Sequence, residues 1–209
     1  MKNHGPQPRA FTLVEVLVVM AIVTLLASIA LPVGSRVIGA ARGAACLTNL
    51  RSLGQSTALF RAEHKDLYPA AGAVVSLPLG RTALLDALGP YVDSARPTMG
   101  EDGACHTGDP FRCAADRVCA PVHGMSYLYE LGDLMEVLAI DGERDPARAA
   151  TLFAEHDPGA AIFSDMGERE LAQLGARAWH GGGPGNWRNA VYSDGRAARL
   201  AAAPGGMVE

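Results

Sequence analysis

The chain has 209 residues, 49% hydrophobic but only 6% aromatic, with a formal net charge of −4 and a pI near 5.9. That acidic balance argues against sequence-independent nucleic-acid binding, which needs clustered Lys and Arg. The length allows one domain with its own core beside a membrane segment, and the abundance of Ala predicts packing by close backbone approach rather than by large rings.

Residues 1–10 are hydrophilic and carry Lys2 and Arg9 with no acid. The 21 residues from Phe11 to Leu31 are almost wholly apolar. At about 1.5 Å per residue they reach roughly 31 Å, enough to cross a hydrocarbon core of about 30 Å. A single carboxylate, Glu15, lies five residues in. An ionisable group there costs on the order of a few kcal/mol unless it finds a partner, which makes Glu15 a candidate functional residue. The basic leader predicts a cytoplasmic N-terminus and an exported C-terminal part, where disulfides persist. Without residues 1–10 the chain keeps 16 basic and 22 acidic residues, a net of −6.

Pro32 follows the apolar run, and Val33, Val37, Ala40, Ala44, Leu47, Leu50, Gly54 and Ala58 then recur at an average spacing of 3.6, one face of an amphipathic helix. The reading is one helix from near Phe11 to about His64, stopping before Tyr68-Pro69. Gly34, Gly39 and Gly43 each lower helix propensity by about 1 kcal/mol relative to Ala. Residues 69–80 read as a loop, and 81–92 as a short helix interrupted by Gly89-Pro90. Residues 94–123 are polar, rich in Gly, Pro and Cys, and without periodicity. Residues 125–130 read as a strand, 131–140 as helix or strand, and 160–164 as a strand. Residues 189–200 read as a hairpin turning at Asp194-Gly195. The expected organisation is a leader at 1–10, a transmembrane helix at 11–31, its exported continuation at 32–68 and a globular head at 69–209.

Phe11-Thr12-Leu13-Val14-Glu15 resembles the start of a type IV prepilin or type II secretion pseudopilin. Ala10 stands where that family usually has Gly before the cut. The resemblance implies cleavage by a prepilin peptidase between Ala10 and Phe11 and N-methylation of Phe11. It also implies assembly with other pilin or pseudopilin subunits by the inner-membrane machinery, with Glu15 meeting the Phe11 amine of a neighbour. At about 4 Å and an effective dielectric near 20 that pair attracts by roughly 4 kcal/mol before desolvation, which sets register more than it adds net stability. The implied fold is α+β and pilin-like: a long N-terminal helix packed on a small antiparallel sheet.

Residues 46–55, Phe60, Tyr68-Pro69, 88–92, 111–116 and 161–165 further resemble a pseudopilin-like family named for a C-terminal His-X9-Asp-Gly element. His180-Gly181-Gly182-Gly183 and Val191 to Gly195 resemble that element, although here thirteen residues separate His180 from Asp194.

Four cysteines, Cys46, Cys105, Cys113 and Cys119, allow three complete pairings. Three of them fall within fifteen residues, so at least one bridge is expected inside that loop, with Cys46 joining if the loop docks on the helix. A zinc site from Cys105, His106, Cys113, Cys119 and His123 lacks any Cys-x-x-Cys spacing. His180 with Asp165 and Asp194 offers a metal or hydrolytic constellation, against the plainer reading of turn-capping carboxylates. Asp165, Glu168 and Asp194 are candidate calcium donors, by resemblance to secretion pseudopilins that bind calcium in a C-terminal loop. Gly181 to Gly185 has no following Lys-Ser/Thr, and no Gly-x-Ser-x-Gly or His-Glu-x-x-His element is present.

The expectation is a structural filament subunit at the bacterial inner membrane, single-pass with a periplasmic head, not an enzyme, and without a cofactor unless calcium. Two alternatives stand beside it. One is an ordinary secretory signal cut after Ser28-Ile29-Ala30. The other is an anchored binding or metal-dependent domain that does not polymerise.

Overall fold

The computed structural model describes residues 12–166, 171 and 187–201. It divides into two compact units, Met1–Ala40 and Ala41–Glu209.

Helix α1 runs Leu13–Glu63, close to the bounds expected from sequence. In the first unit its apolar side chains face outward: Leu13 is 80% exposed, Leu26 61% and Ile29 61%. Among the described residues no helix is long and apolar enough to cross a membrane; the stretch Phe11–Leu31 lies only partly within them.

The second unit is built on residues 41–63 of α1. Its buried positions there are Gly43, Cys46, Asn49, Leu50, Leu53, Ser56 and Thr57, spaced largely at three and four as one helix face requires. This corrects the face expected from sequence: Ala44 and Ala58 are exposed, Leu47 and Gly54 half-buried, and among the described residues of that set only Leu50 is fully buried. The physical reason is that polar residues occupy the docked face and are satisfied on it. Asn49 bonds into a loop, Ser56 Oγ donates to Tyr91 O at 3.0 Å, and Thr57 Oγ1 donates back to Leu53 O at 2.9 Å. A buried polar group costs little once hydrogen-bonded, so hydropathy alone misplaces the stripe.

After α1 come α2 (Ala83–Leu88), a 3-10 turn (Gly89–Tyr91), β1 (Thr98–Met99), β2 (Cys105–His106), α3 (Cys119–His123), β3 (Tyr127–Tyr129), α4 (Glu130–Ile140), α5 (Pro146–His156), β4 (Ala161–Asp165), β5 (Trp187–Tyr192) and β6 (Ala197–Ala201). Strands β1 and β2 form a small ribbon, and β3-β4-β5-β6 form an antiparallel sheet in that order. The fold is α+β and pilin-like: an N-terminal helix followed by a small antiparallel sheet.

Strand β3 shows why the sheet has no wet face there. Tyr127 and Tyr129 point into the main core with Leu50, Leu53, Phe163 and Val191. Leu128, between them, points the other way into a second cluster with Ala73, Cys119, Met166 and Leu171. Alternation of side chains along the strand produces the two clusters. Helix and sheet meet closely at Gly54, where an added Cβ would lie 2.8 Å from Val191 Cγ2. The core as a whole departs from the expectation of packing without large rings, since Tyr127, Tyr129, Phe111 and Phe163 are among its largest fully buried side chains.

Residues 131–140, ambiguous in the sequence, are helical in α4. Helix α5 was not anticipated, although Asp145 caps it, its carboxylate accepting from Arg148 N at 3.1 Å, with Pro146 at its first position. At the end of α1, Arg61 binds Asp66 at 3.0 Å and Glu155 at 3.3 Å and lies over the Tyr68 ring at 4.4 Å. That single guanidinium joins α1, the following turn and α5.

Candidate functional site

The N-terminal residues form a capping box. Thr12 precedes the first helical residue, and both its amide and its hydroxyl donate to Glu15 Oε2, at 2.9 and 2.8 Å. Glu15 N approaches Thr12 Oγ1 at 3.3 Å in return. Ser or Thr followed three residues later by Glu is the sequence signature of this arrangement, and it satisfies amides that a helix start leaves orphaned. The Thr12-Leu13-Val14-Glu15 spacing carried that signal, which the membrane reading passed over. Ala10 and Phe11 lie outside the described residues.

The cysteines form a second cluster. Cys46 on α1 is bonded to Cys113, 67 residues later, with Cα atoms 4.9 Å apart. Cys105 and Cys119 are free and buried. This corrects the expectation of a bridge within residues 105–119: the bond ties the loop to the helix. The loop has its own scaffold to present Cys113. Cys113 N donates to Ser126 Oγ at 2.9 Å, and Ser126 Oγ donates to Asp116 Oδ2 at 2.6 Å. Asp116, fully buried, also accepts from the amides of Val118, Cys119 and Ala120 at 2.8, 2.9 and 2.7 Å. A carboxylate holding three amides and a hydroxyl is fully occupied, so Asp116 fixes the chain rather than reacting with anything. One turn along α1 from Cys46, Asn49 Nδ2 donates to Asp109 Oδ1 and to Arg112 O, both at 2.8 Å.

The two remaining thiols lie in different surroundings. Cys105 Sγ sits 3.4 Å from Val122 O, and burial raises its pKa. Burial and, second, the nearby Asp116 charge push the Cys119 thiol up to about 12. Sequence reading missed Asn49, Asp116 and Ser126. Capping spacing did not mark Asp116, because the residue that directly precedes α3 is Val118, which makes no side-chain cap bond.

The carboxylates grouped as calcium donors do not converge. Asp165, at the end of β4, is buried and accepts from Asn189 N at 2.7 Å and Nδ2 at 2.9 Å. Desolvation pushes its pKa up to about 7, against the lowering effect of the Asn189 donors and the Arg188 charge. Asp194 sits in the β5–β6 turn, where Oδ1 accepts from Arg196 N at 2.8 Å and Gly195 has φ +80°. Asp165 is held at Asn189, three residues of strand before β5 ends at Tyr192, so at about 3.3 Å per residue it lies roughly 10 Å from the start of the turn that carries Asp194. Glu168 and His180 lie outside the described residues. Among the described residues no group of three or more His, Cys, Asp or Glu could hold a metal ion, so the Cys105, His106, Cys113, Cys119 and His123 set does not come together as a site.

The class is defined at the N-terminus, where an apolar helix capped at Thr12 opens on Leu13-Val14-Glu15 and is followed by an α+β head. Residues 7–31 match the family model described as the prokaryotic N-terminal methylation motif. The chain thus carries the motif found at the start of type IV pilins and pseudopilins. The match does not reach the region of His180 and Asp194-Gly195. No curated protein and no solved structure matches the chain.

Proposed function

We propose that this chain is a structural subunit of a type IV pilus-like or type II secretion pseudopilus filament. Prepilin peptidase cuts between Ala10 and Phe11 and methylates the new amine. The stretch Phe11–Leu31 anchors the protein in the bacterial inner membrane, with the N-terminus cytoplasmic and the head periplasmic. Assembly extracts α1 into a bundle with other pilin or pseudopilin subunits, driven by the inner-membrane machinery. The chain does no enzymatic turnover in this reading.

The observation that carries the proposal is the methylation motif at residues 7–31 with Glu15 in the first turn of α1. A new α-amino group has a pKa near 8 in water and needs a counter-charge when buried. The carboxylate of Glu15, now bound to Thr12 of its own chain, can meet that amine on a neighbour when helices stagger. The apolar side chains exposed along residues 13–29 suit burial in lipid or among other helices.

Intact-mass analysis of membrane-extracted protein is the test of processing, with N-methyl-Phe11 expected as the mature start. A mature start at Leu31 would mean an ordinary signal peptide and would overturn the proposal. For assembly, sheared filaments and cross-linked oligomers are recovered from cells making Glu15→Leu or Glu15→Asp at matched levels. Recovery should collapse for Glu15→Leu and be intermediate for Glu15→Asp. Wild-type recovery with Glu15→Leu would make the carboxylate incidental.

A further inference from the structure

The helix-to-loop disulfide poses a selection problem. Cys105, Cys113 and Cys119 lie 59, 67 and 73 residues beyond Cys46. Closure probability falls as about the 3/2 power of loop length, so the three differ by no more than about 1.4-fold. Cys105 is also the first to follow Cys46 out of the membrane in a chain exported from its N-terminal end. Chain statistics and order of export therefore leave Cys113 without an advantage, yet it is the partner found.

We propose that Asn49 selects Cys113 as the partner of Cys46 by docking the segment Asp109 to Cys113 on α1 before the sulfurs join. Asn49 lies on the same buried face as Cys46, one turn further on. Its amide grips the carbonyl of Arg112, the residue immediately before Cys113, and the side chain of Asp109. With Cys113 N held by Ser126, two fixed points bracket the sulfur and aim it at α1. Folding at the same time removes the competitors. Cys105 packs against the α3 backbone, and Cys119 lies among Ala73, Leu128 and Met166.

The chemistry balances with an oxidant of the disulfide class, which the exported location under the proposed function supplies; the inference rests on that reading only for this. The Cys46 thiolate attacks the oxidant's disulfide and forms a mixed disulfide, releasing one thiolate. The Cys113 thiolate then attacks the Cys46 sulfur and releases the second. Two thiols become one disulfide, and the oxidant gains two electrons and two protons. If Cys46 has first closed on Cys105, Cys113 attacks the Cys46 sulfur and Cys105 leaves as a thiolate. That exchange is redox-neutral. Cys105 takes up a proton as it is buried, which blocks the reverse step. Asn49 is thus a positioning residue for a bond it does not itself form.

The test refolds the detergent-solubilised full chain in a mixture of reduced and oxidised glutathione, quenches by alkylation and maps bridged peptides. Wild type should place nearly all bridged Cys46 on Cys113. Asn49→Ala should lower that share by about twofold or more, toward the chain-statistical distribution, with Cys46–Cys105 and Cys46–Cys119 making up the rest. In a Cys105→Ser/Cys119→Ser background, Asn49→Ala should still form Cys46–Cys113 in wild-type yield, because only choice was lost. Wild-type pairing by Asn49→Ala would overturn the proposal. So would failure of the bridge in the double-serine background, since Asn49 would then serve folding and not selection. Failure of the filament reading shows in N-terminal mass and filament recovery, which this assay does not touch.

Discussion

Gly54 of α1 and Val191 of β5 approach so closely that a Cβ on Gly54 would lie 2.8 Å from Val191 Cγ2. Val191 is fully buried and β-branched, so its side chain has little freedom to turn aside. Gly54→Ala should therefore lower head stability by about 1 kcal/mol: overpacking costs about 1–3 kcal/mol, and the gain in helix propensity returns about 1. Urea denaturation of the detergent-solubilised chain measures it, and Gly54→Ala combined with Val191→Ala should recover part of the overpacking loss.

The capping box gives a local prediction. Thr12→Val keeps shape but removes the hydroxyl that donates to Glu15, which should cost about 1 kcal/mol at the start of α1. Hydrogen exchange at the first amides of the helix should accelerate several-fold, while amides in residues 46–60 stay unchanged. Thr12→Ser should restore protection. Equal exchange in Thr12→Val and wild type would show that the box contributes nothing in the intact chain.

Reduction should be costly. Closing a 67-residue loop constrains the unfolded chain by about 4 kcal/mol in the entropic account. Thermal unfolding with and without a phosphine reductant reads this directly, and Cys46→Ser should match the reduced wild type. Asp116→Ala should be as severe without touching a sulfur, because it strands the amides of residues 118–120 and the Ser126 hydroxyl, at about 3 kcal/mol or more. Asp116→Asn, which keeps one acceptor oxygen, should fall between.

How much of this was legible follows the kind of interaction involved. The helix bounds, the β4 strand and the hairpin at Asp194-Gly195 were readable because periodicity and turn chemistry are local. The docked face of α1 was not, since Asn49, Ser56 and Thr57 look like solvent residues until their partners on distant loops are known. Residues 131–140 could not be assigned because a short apolar stretch broken by Gly132, Asp133 and Glu136 offers too few periods to separate a helix from a strand. The Cys46–Cys113 pairing joins residues 67 apart beside a contact between Asn49 and Arg112, and no spacing encodes either.

Asp165 sets a pH dependence. Its carboxyl titrates near 7 in the fold, above the ordinary 3.8, because burial penalises the charged form. The folded state then holds a proton that the unfolded state has lost, so this contribution is complete below about pH 4 and declines as pH rises to about 7. Stability of the head should fall between pH 5 and pH 7 for this group, and Asp165→Asn should flatten that slope. Arg188 opposes the effect and Asp116 adds to it, so Arg188→Ala should move the midpoint upward. Unfolding midpoints in denaturant across this pH range are the measurement.

The bond from Cys46 to Cys113 also makes a closed ring of the intervening chain, and the exposed tip Pro78-Leu79-Gly80 lies inside it. A protease that nicks this tip cuts the backbone yet leaves two pieces covalently joined. Such a chain would run at full mass on a non-reducing gel and split into two only after reduction. A nick beyond Cys113 would instead break the covalent link between the sheet strands and α1. Whether a cut head stays covalently joined to α1 therefore depends on which side of one cysteine the cut falls.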